Sequence, residues 1–345
     1  MTDGAGGLVV RAPNHLGELI LALPALHHSA SVEGQAGRRL FVQFMAGLEP
    51  ILDMAGLDVE KLRIRDRRGV RAGGRQIRGT GARRGVLLTP STSSALMFRV
   101  GGLRSRRGTG GGWRAPLLTD SVPRGPLLEG HRVHEFMALV GADTDGDPPA
   151  PVLRLPEDAE RPRGGGESRI VALFPGSNAE ARRWPAGRFS ALAQRMASAG
   201  RRVLVLGGAG EEVLTGVVAS AGAAFGVCED LGGRTDLAGL AEVLAGCDVL
   251  VTNDTGPMHL AAALGTPVVA LEGPADILQT RPLGARVRLI GRFDLPCVPC
   301  VRNRCPRRGA GTELTEARNE CMWLISVDEV EQAVAELLDG SRTSD

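Results

Sequence analysis

Asp248-Val249-Leu250-Val251-Thr252 runs directly into Asn253-Asp254-Thr255-Gly256-Pro257-Met258-His259-Leu260. The apolar, β-branched run reads as a buried strand and the polar residues as a tight turn. Pro257 suits the first turn of a helix, where its missing N–H breaks no bond. Asp254 or Thr255 is expected to cap that helix, which spans 257–264 and ends at Gly265. Pro267 to Leu271 is the next strand. Strand, helix and strand in so few residues imply a parallel βαβ unit.

The same alternation extends upstream. Ile170 to Phe174 is a strand, 186–199 a helix, Arg202 to Leu206 a strand, 210–220 a helix and Leu237 to Ala245 another helix. The N-terminal half repeats the pattern: Leu8 to Arg11 is a strand, a helix runs from Glu18, Leu40 to Phe44 is a strand, 47–56 is helical, and Val86 to Thr89 is a third strand. His131 to Val140 reads as an amphipathic helix. The signal is weak over 65–130, where Gly-rich 108–112 is expected to be a mobile loop. Residues 158–168 have no apolar periodicity and are rich in Gly and Pro, which makes them a linker. The expectation is an α/β chain of two Rossmann-like, doubly wound domains, 1–157 and 169–345, with a cleft between them.

A length of 345 residues suits two domains, and 43% hydrophobic with 23% charged residues is a globular composition. It excludes a disordered chain, a collagen and a disulfide miniprotein. No run approaches the ~18 apolar residues needed to cross a bilayer. Met1-Thr2-Asp3-Gly4 lacks the basic region of a secretory signal, so a cytoplasmic chain is expected. Lys occurs once, at Lys61, so Arg can stand where Lys is usual. The charge is uneven. Residues 61–132 carry 16 Arg and Lys61 against Asp66, Asp120 and Glu129, a local net of +14 that leaves −12 elsewhere. That block suits an anionic partner, or is a solvated region inflated by Arg. Its only aromatic residues are Phe98 and Trp113, too few for stacked nucleic-acid bases, so no nucleic acid is expected.

Four constellations carry chemistry. At Asp254-Thr255-Gly256 the free N–H groups and dipole of a helix start suit a diphosphate, with His259 able to hydrogen-bond a phosphate; the alternative is an N-cap and a buried His. Phe174-Pro175-Gly176-Ser177-Asn178 also follows a strand. It offers Ser177 and Asn178 as donors and Arg182 as a charged fork, while Arg183 reads as a solvated loop charge and Trp184 as core. Glu18 begins the first helix at a strand's carboxyl end, as a general base or merely as a complement to the helix dipole. Cys297, Cys300, Cys305 and Cys321 have spacing that suits a closed structural zinc site, a set of reduced packing thiols, or disulfides. Cys228 and Cys247 read as small buried hydrophobes. The glycines of Leu206-Gly207-Gly208-Ala209-Gly210 do not form G-x-G-x-x-G, which disfavours a nicotinamide dehydrogenase.

In their order and spacing, the Pro-Gly-Ser…Arg-Trp-Pro and Asn-Asp-Thr-Gly-Pro-Met-His blocks resemble glycosyltransferase family 9, the ADP-heptose:lipopolysaccharide heptosyltransferases. The tail ending in Glu320-Cys321-Met322 looks most like the heptosyltransferase II branch. The resemblance implies a GT-B fold, an N-terminal domain for the acceptor and a C-terminal domain for the nucleotide sugar with its Cys-rich loop at 297–321. It implies ADP-L-glycero-β-D-manno-heptose as donor, held by Ser177, Asn178, Arg182, Asp254, Thr255, Gly256 and His259, with Glu211 or Glu212 on the ribose. Arg182 stands where the family has Lys, and Glu18 where it has Asp. The implied chemistry is inverting and metal-independent, with Glu18 as base and Arg182 stabilising the departing phosphate. Its acceptor is a sugar hydroxyl of the lipopolysaccharide core on lipid A, reached by peripheral contact at the inner face of the inner membrane. A GT-B enzyme with another donor or acceptor, a non-catalytic nucleotide-binding relative, and a zinc-stabilised nucleic-acid binder built on the basic block are the rival readings.

Overall fold

The computed structural model describes residues 6–127, 129–160, 169–306 and 319–339. Met1-Thr2-Asp3-Gly4, most of the linker expected at 158–168, and 307–318 of the Cys-rich loop lie outside the described residues. The chain divides into two compact units, Met1–Arg154 and Leu155–Asp345.

The first unit runs β1 (Leu8–Arg11), α1 (Leu16–Gln35), β2 (Leu40–Met45), α2 (Glu49–Met54), β3 (Glu60–Ile64), α3 (Val70–Gly79), β4 (Arg84–Leu87), α4 (Thr92–Val100), β5 (Ser105–Thr109), β6 (Asp120–Val122), α5 (Arg124–Leu127) and α6 (Arg132–Leu139). Its strands pair in parallel in the order β3-β2-β1-β4-β5-β6. All four residues of β1 are buried, as in a central strand covered on both faces.

The described residues of the weak stretch at 65–130 form α3, β4, α4, β5, β6 and α5 with their connections. Its strands β5 and β6, like β3 just before it, lie toward the sheet's margins and carry Glu, Lys, Arg, Asp and Ser in place of an apolar run, which hides them in the sequence. The expected loop at 108–112 is corrected likewise. Gly108 and Thr109 belong to β5, Gly110 donates its N–H to Val122 O at 2.8 Å, and a 3₁₀ turn begins at Gly112.

The second unit runs β7 (Ile170–Phe174), α7 (Ala186–Ser198), β8 (Arg202–Val205), α8 (Glu212–Gly222), β9 (Cys228–Asp230), α9 (Leu237–Ala245), β10 (Val249–Asn253), α10 (Gly256–Leu264), β11 (Val268–Glu272), α11 (Ile277–Thr280), β12 (Val287–Gly291), α12 (Glu320–Trp323) and α13 (Val327–Asp339). The parallel order is β12-β11-β10-β7-β8-β9, the same winding as the first sheet. Both edge strands, β9 and β12, escape a reading of the sequence.

Val171, Leu173, Val203, Val205, Val249 and Val251 build the sheet's core face. Trp184, Phe189 and Met196 pack on it, and so do Val330 and Val334 of α13. Trp184 and Phe189 meet edge to face at 5.0 Å. In each unit the winding reverses direction at one place, between β1 and β4 and between β7 and β10. Ligands of doubly wound sheets bind outside the carboxyl ends of the strands at such reversals.

Candidate active site

The loops leaving β7 and β10 flank the reversal of the second sheet, and one side chain binds them together. Asn253, fully buried, accepts a hydrogen bond from Trp184 N at 2.9 Å and donates to Pro175 O at 2.8 Å and Gly176 O at 3.3 Å. The indole N–H of Trp184 reaches Ile325 O at 3.0 Å, so the loop is pinned at both ends. Arg183 is exposed, as expected of a solvated loop charge, and its Nε also donates to Ser177 O at 2.8 Å, which adds to this bracing. Ser177 is buried and its Oγ accepts from Ala179 N, while Asn178 is exposed.

Arg182 projects from this loop toward the turn after β10. Its Nη1 lies 2.9 Å from Asp254 Oδ2, an ion pair not aligned as a hydrogen bond, and Arg182 Nε and Asp254 Oδ2 have no hydrogen-bond partner. Neither Asp254 nor Thr255 caps α10 through its side chain, contrary to expectation. Thr255 is extended at the N-cap position, and Asp254 is engaged with the arginine. The first N–H groups of α10 thus receive no side-chain cap, at a helix start that favours anions. His259 is buried in that helix.

A residue unmarked in the sequence joins the group. Glu272 ends β11, the strand beside β10, and is 1% exposed with Oε2 unpartnered. Burial first, and then the Asp254 carboxylate, pushes its carboxyl well above the ordinary range, against the pull of Arg182. Burial likewise raises Asp254, opposed by Arg182.

Beyond β8, Glu211 folds over the first loop. Its Oε2 accepts from Gly208 N at 2.8 Å, and its carboxylate fills the space a side chain at Gly176 would need. Glu212 turns instead to Gly210 N at 2.9 Å.

In the first unit Glu18 lies in the first turn of α1, half-buried, in the segment that follows β1 and beside the β1–β4 reversal. The entrance to that helix is held from beneath. Arg11, fully buried, donates to Ala12 O at 2.6 Å and Gln43 O at 3.1 Å, and also to Asn14. Burial lowers its guanidinium to about 10. A charged residue closing an apolar strand gave no signal of this role. A cavity of about 720 Å³ is lined by His27, Arg38, Arg39 and Glu60. It lies at the amino ends of β2 and β3, away from the end that carries Glu18.

The four tail cysteines line one cavity of about 60 Å³, next to Ala181 and Pro274. Burial, and then the neighbouring Cys305, Cys297 and Cys300 thiols, push the Cys321 thiol up to about 11. All four are free of disulfides. Among the described residues no three His, Cys, Asp or Glu are grouped closely enough to hold a metal ion. The donor chemistry suits zinc, and the arrangement as it stands is short of a site. Cys247 is buried, with its thiol pushed up to about 12, and Cys228 is half-buried on β9.

Much of the basic block serves the fold. Arg63 pairs with Glu49, Lys61 with Asp53, Arg84 with Glu33, Arg107 with Asp120 and Arg132 with Glu135. Arg114 is buried beside Thr109. Arg65, Arg67, Arg68, Arg71 and Arg75, around the start of α3, remain exposed.

The family model for glycosyltransferase family 9 (heptosyltransferase) matches residues 70–310, more than half the chain and all of the reversal just described. The chain belongs to glycosyltransferase family 9. Lipopolysaccharide heptosyltransferase 2 of Escherichia coli (strain K12) is 30% identical over 237 residues, 60% of this chain and 64% of that protein. Its namesake in Salmonella typhimurium is 35% identical over 130 residues, 36% of each. The matched stretches thus span between about a third and two thirds of those relatives. A solved structure described as E. coli ADP-heptose lps heptosyltransferase II shares the fold, with a TM-score of 0.78 at 23% identity over 98% of this chain and 100% of that one. The two doubly wound sheets of this family 9 chain are therefore a GT-B-like fold.

Proposed function

We propose that the chain transfers heptose from ADP-L-glycero-β-D-manno-heptose to a sugar hydroxyl of the lipopolysaccharide inner core. The observation that carries this reading is the Arg182–Asp254 pair at the uncapped start of α10. A cation and free backbone N–H groups together suit a diphosphate. Family membership and the names of the relatives supply the heptose and the core acceptor.

In this reading the second unit holds the donor and the first the acceptor. The diphosphate lies across the N-terminus of α10, with Arg182 exchanging part of its contact with Asp254 for a phosphate oxygen. Ser177, Asn178, Thr255, Gly256 and His259 complete the donor site, and Glu211 takes the ribose hydroxyls. Glu18 accepts the proton of the attacking sugar hydroxyl. The oxygen bonds to the anomeric carbon as the bond to the diphosphate breaks, which inverts that carbon and releases ADP. Arg182 and the α10 amides stabilise the charge that grows on the leaving phosphate, so protein groups do the work a metal would otherwise do.

No helix among the described residues is long and apolar enough to cross a membrane. The exposed arginines around α3 support peripheral contact with anionic lipid A and its membrane at the cytoplasmic face. A structural zinc at Cys297, Cys300, Cys305 and Cys321 would need these thiols, which line one cavity beside Ala181, to draw closer together than they stand.

The test is direct. ADP-heptose and heptose-depleted lipopolysaccharide, incubated with the protein and a chelator, should yield ADP and an acceptor heavier by one heptose. Absence of both products, with the protein folded, refutes the assignment. Transfer only from another sugar nucleotide would change the donor and keep the class.

A further inference from the structure

Three ionisable side chains converge at the carboxyl ends of β7, β10 and β11. Arg182 and Asp254 form the ion pair, and Glu272 stands one strand over, in the residue that follows the Asn253–Leu271 register pair. Asp254 and Glu272 are almost wholly buried, and each has a carboxylate oxygen without a hydrogen-bond partner. Two ionised carboxylates and one guanidinium would leave a net charge of −1 in a dry site. Burying an uncompensated charge is costly, and a proton from solvent removes it. The only charged groups that perturb Glu272 among the described residues are Asp254 and Arg182. On its other flank β12 offers Gly291, and the next residue, Arg292, is occupied with Glu329. Such a pair titrates as a unit, not as two independent acids.

We propose that Glu272 and Asp254 share one proton and that this proton makes the site receptive to the donor's diphosphate, so that the diphosphate binds together with a proton. Glu272 is a positioning residue, acting through Asp254 and Arg182. With the proton present, the carboxyl pair bears one negative charge, matched by Arg182. Without it the site is already anionic and repels the ligand. An incoming diphosphate also draws Arg182 away from Asp254, which makes the pair more basic still. The proton comes from solvent and returns there when ADP leaves.

The inference rests on the donor-site reading above and deepens it. Calorimetry of ADP binding, in buffers of different ionisation enthalpy from pH 8 upward until the free pair has lost its proton, tests it. There the ligand's own phosphate stays ionised. The wild-type protein should take up as much as about one proton per ADP, and its affinity should fall by as much as about tenfold per pH unit. Glu272→Gln keeps the shape and removes the charge. It should bind ADP with no proton uptake and an affinity that is flat across the range. A Glu272 that only fills space would leave the wild-type uptake in place in the variant, and that result overturns the proposal. So does wild-type binding without proton uptake, which needs no variant.

If ADP binds neither protein, the donor-site reading fails, and the pair is judged alone by the pH dependence of unfolding without ligand. Wild-type stability should drop as pH rises through the pair's titration, more steeply than that of Glu272→Gln. Identical profiles overturn the pair as well.

Discussion

At the scale of single residues, two side chains carry the chemistry proposed here, and they can be separated. Glu18→Gln preserves the size of a group in the first turn of α1 and removes its basicity. Turnover should fall by roughly 10²–10⁴ while ADP binding is unchanged, because a general base acts only on the reacting hydroxyl. Steady-state rates together with equilibrium ADP binding measure this, and near-normal turnover would exclude Glu18 as base. Arg182→Ala should weaken ADP binding by about 1.5–3 kcal/mol, the worth of a charge-assisted contact. It also strands Asp254 in a buried setting, so the variant should take up a proton there. Arg183→Ala should affect ADP much less, its bond being to the Ser177 carbonyl. Calorimetry that ranked the two the other way would assign the phosphate to Arg183. Arg182, Asp254 and Thr255 stood out in the sequence because charge and turn residues followed an apolar run. Glu272 and Asn253 did not, because one carboxyl at the end of a strand and one amide inside a motif give no sign of what they face. Their roles come from the pairing of β10 with β7 and β11, which no local pattern contains.

At the scale of elements, the turns after β7 and β8 interlock. Glu211 rests where Gly176 has no side chain. Gly176→Ala should expel the Glu211 carboxylate, raise the donor KM several-fold if Glu211 holds the ribose, and leave the fold cooperative. An unchanged KM with a displaced Glu211 would remove it from the donor site. Strands β7, β8, β10 and β11 and the helices α7 to α10 were legible because each is largely apolar and punctuated by Gly, Pro or a polar turn. The marginal strands β3, β5, β6, β9 and β12 were not, since an edge needs polar residues and its pairing partner is distant in sequence. The four-cysteine cavity is the element least determined by its surroundings. Zinc there should appear as about one equivalent by elemental analysis, be lost in Cys321→Ser, and lower the melting temperature on chelation without stopping transfer. A metal-free, equally stable preparation would make these four packing thiols.

At the scale of the whole molecule, buried acids set the response to pH. Asp254 and Glu272 are raised in the folded state, so their contribution to stability is present below the ordinary carboxyl range and lost as pH rises through their folded values. Glu329 has the opposite sign. Held to about 2, first by its bonds from Arg292, it favours the fold above the ordinary carboxyl range and ceases to as pH falls toward 2. Denaturant unfolding across pH should therefore show a decline as pH rises above the ordinary carboxyl range, which Glu272→Gln relieves, and an acid decline that it does not touch. A decline with rising pH unaffected by Glu272→Gln would place its origin elsewhere.

The tie between Trp184 and Ile325 spans 141 residues, and Arg188 reaches the same carbonyl. A chain emerging from the ribosome at about 5–20 residues per second makes the tryptophan roughly 7–28 s before its acceptor. Midway through that interval Asn253 and Asp254 become available to the loop carrying Arg182, yet its indole N–H still has no acceptor. A polypeptide that stops short of Ile325 would thus lack one of the two anchors of the loop that carries Arg182.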